Sequence, residues 1–141
     1  MTPYRKVYDA FLVRILDDEY GYWTKEEVEA DMSQLLDIAI AMFKFPRASL
    51  KRTPEGFEGD LSNKEIQILA TYMKCEWLDR NIMTWDNIKP QYEERDFSVA
   101  NMLAKLTDAL KKERENAKAL EASYYRSRDN KPFDFKKLAG G

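Results

Sequence analysis

The chain has 141 residues, of which 44% are hydrophobic and 34% charged, and its formal net charge is −2. A domain of this size can bury a hydrophobic core, so length and composition exclude an intrinsically disordered chain. The single cysteine, Cys75, excludes an internal disulfide, and the absence of histidine removes the residue most used as general base and metal ligand near neutral pH.

The first two predicted elements are helices. The chain has few glycines, five in all, and its apolar residues recur with helical periodicity over long stretches, which predicts a mostly helical protein. One helix is expected over residues 3–16, with Thr2 as N-cap and Pro3 in the first turn, where a missing N–H costs nothing. A second is expected over residues 25–43, opened by a capping box of Thr24 and Glu27. Its inner face would consist of Val28, Met32, Leu35, Leu36, Ala39 and Met42.

Residues 44–59 lack helical periodicity and hold two of the five prolines. They predict a loop, or a short β-ribbon near residues 47–58 in which Ala48, Leu50 and Arg52 alternate against Phe57. Four basic side chains follow one another here with no acidic residue between them, and they are candidate contacts: Lys44, Arg47, Lys51 and Arg52. A nucleic-acid contact is one interpretation, but a chain with a pI near 5.4 lacks the broad basic surface of a DNA-binding module.

The third helix has the clearest start signal in the chain. Ser62 can accept from the N–H of Glu65, whose carboxylate can reach back to the N–H of Ser62. Over residues 63–80 apolar side chains then recur on one face, which predicts an amphipathic helix. That face carries Ile66, Leu69, Ala70, Met73, Trp77 and Leu78. Residues 81–95 are expected to be irregular, with Pro90 as a breaker.

A fourth helix over residues 98–126 would be on the order of 40 Å long, more than a small domain needs. A heptad seam runs along it through Val99, Leu103, Leu106, Leu110, Glu113, Ala117, Leu120 and Tyr124. The second half of this seam is weaker and is flanked by charged side chains. It is expected either to be a solvated amphipathic end or to pack on a second chain.

The last residues are expected to form an extended C-terminal tail (127–141) after a helical domain (1–126). Residues 1–110 carry 14 basic and 20 acidic side chains, whereas residues 111–141 carry 9 basic and 5 acidic ones. Phe133, Phe135 and Leu138 alternate with polar residues, so they are expected to anchor the tail on another chain. Packing on its own domain and disorder are the alternatives. Basic side chains that would steer the tail to an acidic partner are Arg126, Arg128, Lys131, Lys136 and Lys137.

Catalytic patterns are weak in this sequence. Glycine-rich phosphate loops, paired cysteines and nucleophile elbows do not occur. The acidic clusters are Asp17, Asp18 and Glu19, and Glu26, Glu27, Glu29 and Asp31. Carboxylates can hold Mg²⁺ or Ca²⁺, but acids in a first helical turn are favoured by the helix dipole alone. We therefore expect no enzyme activity and no metal or other cofactor. No apolar run approaches the roughly 20 residues of a membrane span.

Four segments carry a family resemblance over roughly residues 1–125. They are Tyr4-Arg-Lys-Val-Tyr8-Asp-Ala-Phe11, Phe57-Glu-Gly-Asp-Leu61, Asn63-Lys-Glu-Ile66 and Asp96-Phe97-Ser98, the last opening the long helix. In their order and in their hydrophobic and capping positions they resemble the head-tail connector proteins, or neck adaptors, of tailed bacteriophages.

The resemblance implies a non-enzymatic ring subunit of the virion neck, made in the host cytoplasm and commonly present in twelve copies. Its partners would be the portal protein and further neck or tail proteins. DNA would pass through the channel without sequence-specific binding, and no membrane would be involved. A helical nucleic-acid-binding or regulatory module remains the alternative, and a carboxylate-metal enzyme would require its acidic residues to converge.

Overall fold

A computed structural model of the protein describes residues 1–15, 20–88 and 96–127. Within these ranges the chain forms α1 (Tyr4–Leu12), a 3₁₀ turn (Tyr20–Tyr22), α2 (Lys25–Met42), α3 (Asn63–Ile88) and α4 (Asp96–Arg126). Helices α1, α2 and α4 each pack against α3. The predicted all-α bundle with a long C-terminal helix is confirmed. In the part of the chain so described, no helix combines the length and the apolar character that crossing a membrane requires.

Helix α3 is the centre of the bundle. Its start is the predicted capping box: the N–H of Ser62 donates to Oε1 of Glu65 at 2.8 Å, and the N–H of Glu65 donates to Oγ of Ser62 at 3.3 Å. Every side chain from residue 68 to residue 73 is buried. The predicted inner-face residues Ile66, Leu69, Ala70, Met73 and Leu78 are buried, and over residues 68–73 burial extends around the helix because neighbouring helices cover α3 on several sides. Even the hydroxyl of Thr71 is buried, and it donates to the carbonyl oxygen of Gln67 at 2.7 Å.

Helices α3 and α4 form an antiparallel pair that is longer than the rest of the bundle. Helix α3 continues to Ile88, so the prediction that it ends near residue 80 is wrong. Cys75 and Leu78 pack with Leu110 in a second apolar cluster, where Ile82 and Leu106 also contact them. Helix propensity and this packing together explain the extension, since a helix continues while its side chains find a partner.

The second half of the heptad seam packs inside its own bundle. Ala117 is fully buried and Tyr124 is 2% exposed, and both belong to the main core with α3. Glu113, the polar break in the seam, pairs with Lys74 of α3 at 3.2 Å. Both sequence-based interpretations of this half, a solvated end and a surface for a second chain, are therefore wrong at Ala117 and Tyr124.

Thr2 has a different role from the predicted N-cap. Pro3 occupies the N-cap position of α1, without a side-chain capping bond. The Thr2 hydroxyl instead donates to the carbonyl oxygen of Gly59 and accepts from the N–H of Leu61, both at 2.9 Å. Thr2 thus ties the start of the chain to the segment before α3, a contact across 57 to 59 residues.

The loop between α2 and α3 contains the predicted turn-back but no regular ladder. The N–H of Glu58 donates to the carbonyl oxygen of Lys51 at 2.8 Å, and that of Gly59 to the carbonyl oxygen of Ser49 at 3.0 Å. The β-bridges found in this region are isolated ones, in which Phe57 pairs with Arg52 and with Thr2. Phe57 is fully buried, so this small hairpin is stabilised by the helices under it.

Candidate partner-binding surface

The chain leaves α4 beside the loop that follows α2, and Arg47 joins the two. Its guanidinium donates to the carbonyl oxygen of Tyr124 at 2.8 Å and to that of Ser127, and it lies 4.3 Å from the centre of the Tyr124 ring. The last carbonyls of a helix carry partial negative charge, which a cation stabilises. Arg47 therefore caps α4 and fixes the position at which the tail begins.

Glu65 lies beneath this joint and is 3% exposed. Besides the N–H of Ser62, its carboxylate accepts from the N–H of Ala48 and from the hydroxyl of Tyr124, both at 3.0 Å. Burial alone would raise the pKa of Glu65, but these donors outweigh it and hold the pKa below its ordinary value. The residue that caps α3 thus also binds the α2–α3 loop and the last turns of α4.

A second carboxylate, Glu121, joins the same region. It accepts from the hydroxyl of Tyr72 on α3 and from the hydroxyl of Tyr125 at 2.5 Å. The Tyr125 oxygen in turn accepts from the N–H of Phe45 at 3.2 Å. Burial, followed by the hydrogen bond to Glu121, raises the pKa of Tyr125 to about 12. Tyr125 therefore stays a neutral donor at physiological pH and holds Phe45 against α4.

An apolar surface lies at this end of the bundle and is named here the exit patch. It comprises Phe45 in the loop and Tyr125 on α4, together with Ile38 and Met42, which are exposed on the last two turns of α2 that lead to Phe45. Phe45 is 72% exposed, and its ring centre is 6.1 Å from that of Tyr125. The other three side chains are between 37% and 40% exposed. Lys44 and Arg126 are exposed beside it in the sequence, so the patch has basic neighbours.

The structure divides the four basic loop residues that the sequence grouped together. Arg47 reaches α4, whereas Arg52 pairs with Asp37 of α2 at 2.7 Å and lies 4.6 Å from the centre of the Tyr4 ring. Lys51 lies 3.9 Å from Glu58. Three of the four charges thus have partners within the chain, and Lys44 is exposed.

Of the predicted partner-binding residues, Arg126 is described and stands at the end of α4, near Arg47. The others lie outside the described residues: Arg128, Lys131, Phe133, Phe135, Lys136, Lys137 and Leu138. Sequence reasoning did not identify Phe45 and Tyr125 as surface residues. It also assigned Met42 to the inner face of α2, which is wrong because Met42 is 37% exposed. The signal for Phe45 was its position between Lys44 and Pro46, where an aromatic side chain belongs to no helical face.

The acidic side chains and Cys75 are the remaining candidates for chemical sites. Among the described acidic residues and Cys75, no three converge in a way that could hold a metal ion. The acidic trio of Asp17, Asp18 and Glu19 lies outside the described residues. Burial, and then the nearby Glu113 carboxylate, raises the pKa of the Cys75 thiol to about 11, which leaves it protonated and unreactive.

Comparison of the chain with protein-family models, with curated proteins and with solved structures gave no match in any of the three. A functional proposal for this chain therefore depends on the geometry at the end of α4 and on the sequence pattern.

Proposed function

We propose that the protein is a non-enzymatic structural subunit, a head-tail connector of a tailed bacteriophage that joins the portal to the tail. The observation that supports this best is the joint at the end of α4. Arg47, Glu65 and Tyr124 hold the start of the tail rigidly beside the exposed exit patch. A preordered surface loses less conformational entropy on binding, which suits a subunit that must form one permanent contact.

The buried carboxylates support a structural role. Glu65 accepts hydrogen bonds from the α2–α3 loop, the start of α3 and α4, and Glu121 accepts from tyrosines of α3 and α4, so that each carboxylate oxygen has at least one protein donor. A general base needs a carboxylate that reaches a substrate proton. Groups committed to neighbouring backbone and tyrosine hydroxyls instead specify one arrangement of the bundle.

The charge distribution supports a place around a DNA channel. Residues 1–110 have six more acidic than basic side chains, so most of the domain repels phosphate. A channel wall that binds DNA tightly would retard its passage, whereas an acidic wall lets it slide. In this proposal twelve copies form the ring, the tail reaches the portal, and the protein is found in the virion neck.

The test is reconstitution with purified portal rings of the same phage. The full chain should join the portal as a ring that cryo-electron microscopy can count, and Phe133→Ala with Phe135→Ala should abolish joining. Val13→Ala is the matched control, because Val13 is 80% exposed and its removal should change nothing. Failure of the intact chain to bind the portal would refute the proposal. Tight, salt-sensitive DNA binding without portal binding would support the nucleic-acid alternative.

A further inference from the structure

The exit patch is exposed at the place where the tail begins. Phe45 is 72% exposed, while its backbone N–H donates to Tyr125 and its ring contacts the Tyr125 ring, so the side chain is held in an exposed position. Ile38 and Met42 are four residues apart on α2 and therefore lie on one face of that helix. Fixed, clustered apolar side chains of this kind mark an interaction site.

We propose that in the free subunit residues 128–141 of the same chain fold back onto the exit patch, with Phe133 and Phe135 as the contacting side chains. The tail then leaves the patch when the subunit joins its partner. This inference concerns the subunit before assembly, so it does not require that the partner be a portal.

The position of Ser127 places the tail within reach of the patch. Arg47 holds the Ser127 carbonyl, and Tyr125 of the patch precedes Ser127 by two residues. Phe133 follows six residues after Ser127, a segment that spans at most about 22 Å when extended. Because the tether is short, the tail is present at an effective concentration of order millimolar. A modest affinity of two phenylalanines for the patch is then enough to hold the tail there.

The charges of the tail and of the exit patch's neighbours have the same sign, which indicates that apolar contacts hold the tail on the patch. Residues 128–141 carry Arg128, Lys131, Lys136 and Lys137 against Asp129 and Asp134, a net charge of +2, and they would approach Lys44 and Arg126. Attraction between opposite charges therefore does not drive the contact. Salt should leave it unchanged or strengthen it, whereas steering of the basic tail to an acidic partner weakens with salt. The two contacts of the tail are thus separable by ionic strength.

The experiment places a photoreactive benzoylphenylalanine at position 45 of the full chain. After irradiation, digestion and mass spectrometry should map its crosslinks to residues 128–141. Mixing ¹⁴N- and ¹⁵N-labelled chains identifies the source of each crosslink. We expect both halves of each crosslink to carry the same label, with a yield that changes by less than about twofold on dilution or added salt, as an intramolecular apolar contact requires.

Two controls make the result decisive. The same probe at Tyr22, which is 93% exposed, reports random collisions with the tail. Tyr22 is remote from the exit patch. The hydroxyl of Tyr20, in the same 3₁₀ turn, donates to Asp31, which also accepts from Arg80 of α3. Arg80 is about 22 Å along α3 from Glu65, the residue beneath the start of the tail. Phe133→Ala with Phe135→Ala should lower the yield at position 45 roughly tenfold, to this background. Crosslinks between differently labelled chains, or none to the tail above background, would overturn the inference while leaving portal binding of the unmodified chain as a separate result.

Discussion

Tyr124 donates its hydroxyl proton to Oε2 of Glu65 at 3.0 Å, and so joins the end of α4 to the first turn of α3. The same tyrosine oxygen accepts from the N–H of Arg47 at 2.7 Å. Tyr124 therefore connects the helix pair with the loop in a single hydrogen-bonded unit. Because the unit is buried, loss of any one of these hydrogen bonds leaves a polar group without a partner at a place that water cannot reach.

Tyr124→Phe should lower the free energy of unfolding by roughly 1–3 kcal/mol, because it leaves Glu65 and the Arg47 N–H each short of a partner. Urea unfolding followed by circular dichroism measures this change. Tyr22→Phe is the matched control, since Tyr22 is 93% exposed, and it should change the free energy by less than about 0.5 kcal/mol. Equal effects of the two substitutions would contradict the role assigned to the Tyr124 hydroxyl.

Glu65 should make stability depend on pH in the acid range. Although burial opposes it, hydrogen bonding lowers the folded-state pKa below the ordinary value of 4.5. The ionised carboxylate therefore stabilises the fold above about pH 4.5, and this stabilisation is lost as the pH falls through the lower folded-state pKa. Glu65→Gln should cost roughly 1–3 kcal/mol at neutral pH and progressively less in acid. Urea titrations of both proteins across this range test it; a cost that does not vary with pH would show that the carboxylate charge is immaterial.

The Cys75 thiol should not react with a disulfide reagent such as dithionitrobenzoate while the protein is folded. Cys75 is 2% exposed, and burial raises its pKa to about 11, so both access and thiolate are lacking near neutral pH. The absorbance of the thiolate that the reagent releases should rise at once in denaturing urea and only slowly in buffer. Rapid reaction of the folded protein would indicate that the α3–α4 pair opens locally.

Gly56 should not tolerate a side chain. A Cβ atom at this position would lie 2.2 Å from the carbonyl oxygen of Thr2, which is backbone and cannot rotate away. Gly56→Ala should therefore destabilise the protein by roughly 1–3 kcal/mol or more. Gly21→Ala is the control, because a Cβ there meets nothing within 4 Å. Comparable thermal midpoints for the two variants would contradict the close approach of Thr2 to the hairpin.

A chain truncated after Asp129 should keep nearly the same thermal midpoint and fail to join purified portal rings. Among the described residues the main core extends as far as Tyr124, and covering the exit patch adds only surface contacts. Each tail phenylalanine would contribute roughly 1.5–3 kcal/mol to a buried joint, which repetition around a ring multiplies. Thermal unfolding and co-sedimentation with portal measure the two effects. If truncation unfolds the chain, the tail belongs to the core and does not dock on a partner.

The helices and their starts were largely predictable from the sequence because capping depends on neighbours three residues apart. Ser62 with Glu65, and Thr24 with the N–H of Glu27 at 3.1 Å, form as their spacing predicts. The apolar periodicity that identified α2 and the long α4 is likewise a property of a single helix. The end of α4 at residue 126 was also predicted from the sequence and is confirmed.

Only the tertiary structure decided which partners these residues take. Arg47 and Arg52 are five residues apart and alike in sequence, yet one binds α4 across 77 to 80 residues and the other binds α2. Glu65 is a helix cap by its spacing, and it becomes the centre of a buried network through Tyr124, 59 residues away. Packing of α1, α2 and α4 around α3 brings such distant groups together. Their pairing depends on the whole chain, whereas a cap is satisfied within one turn.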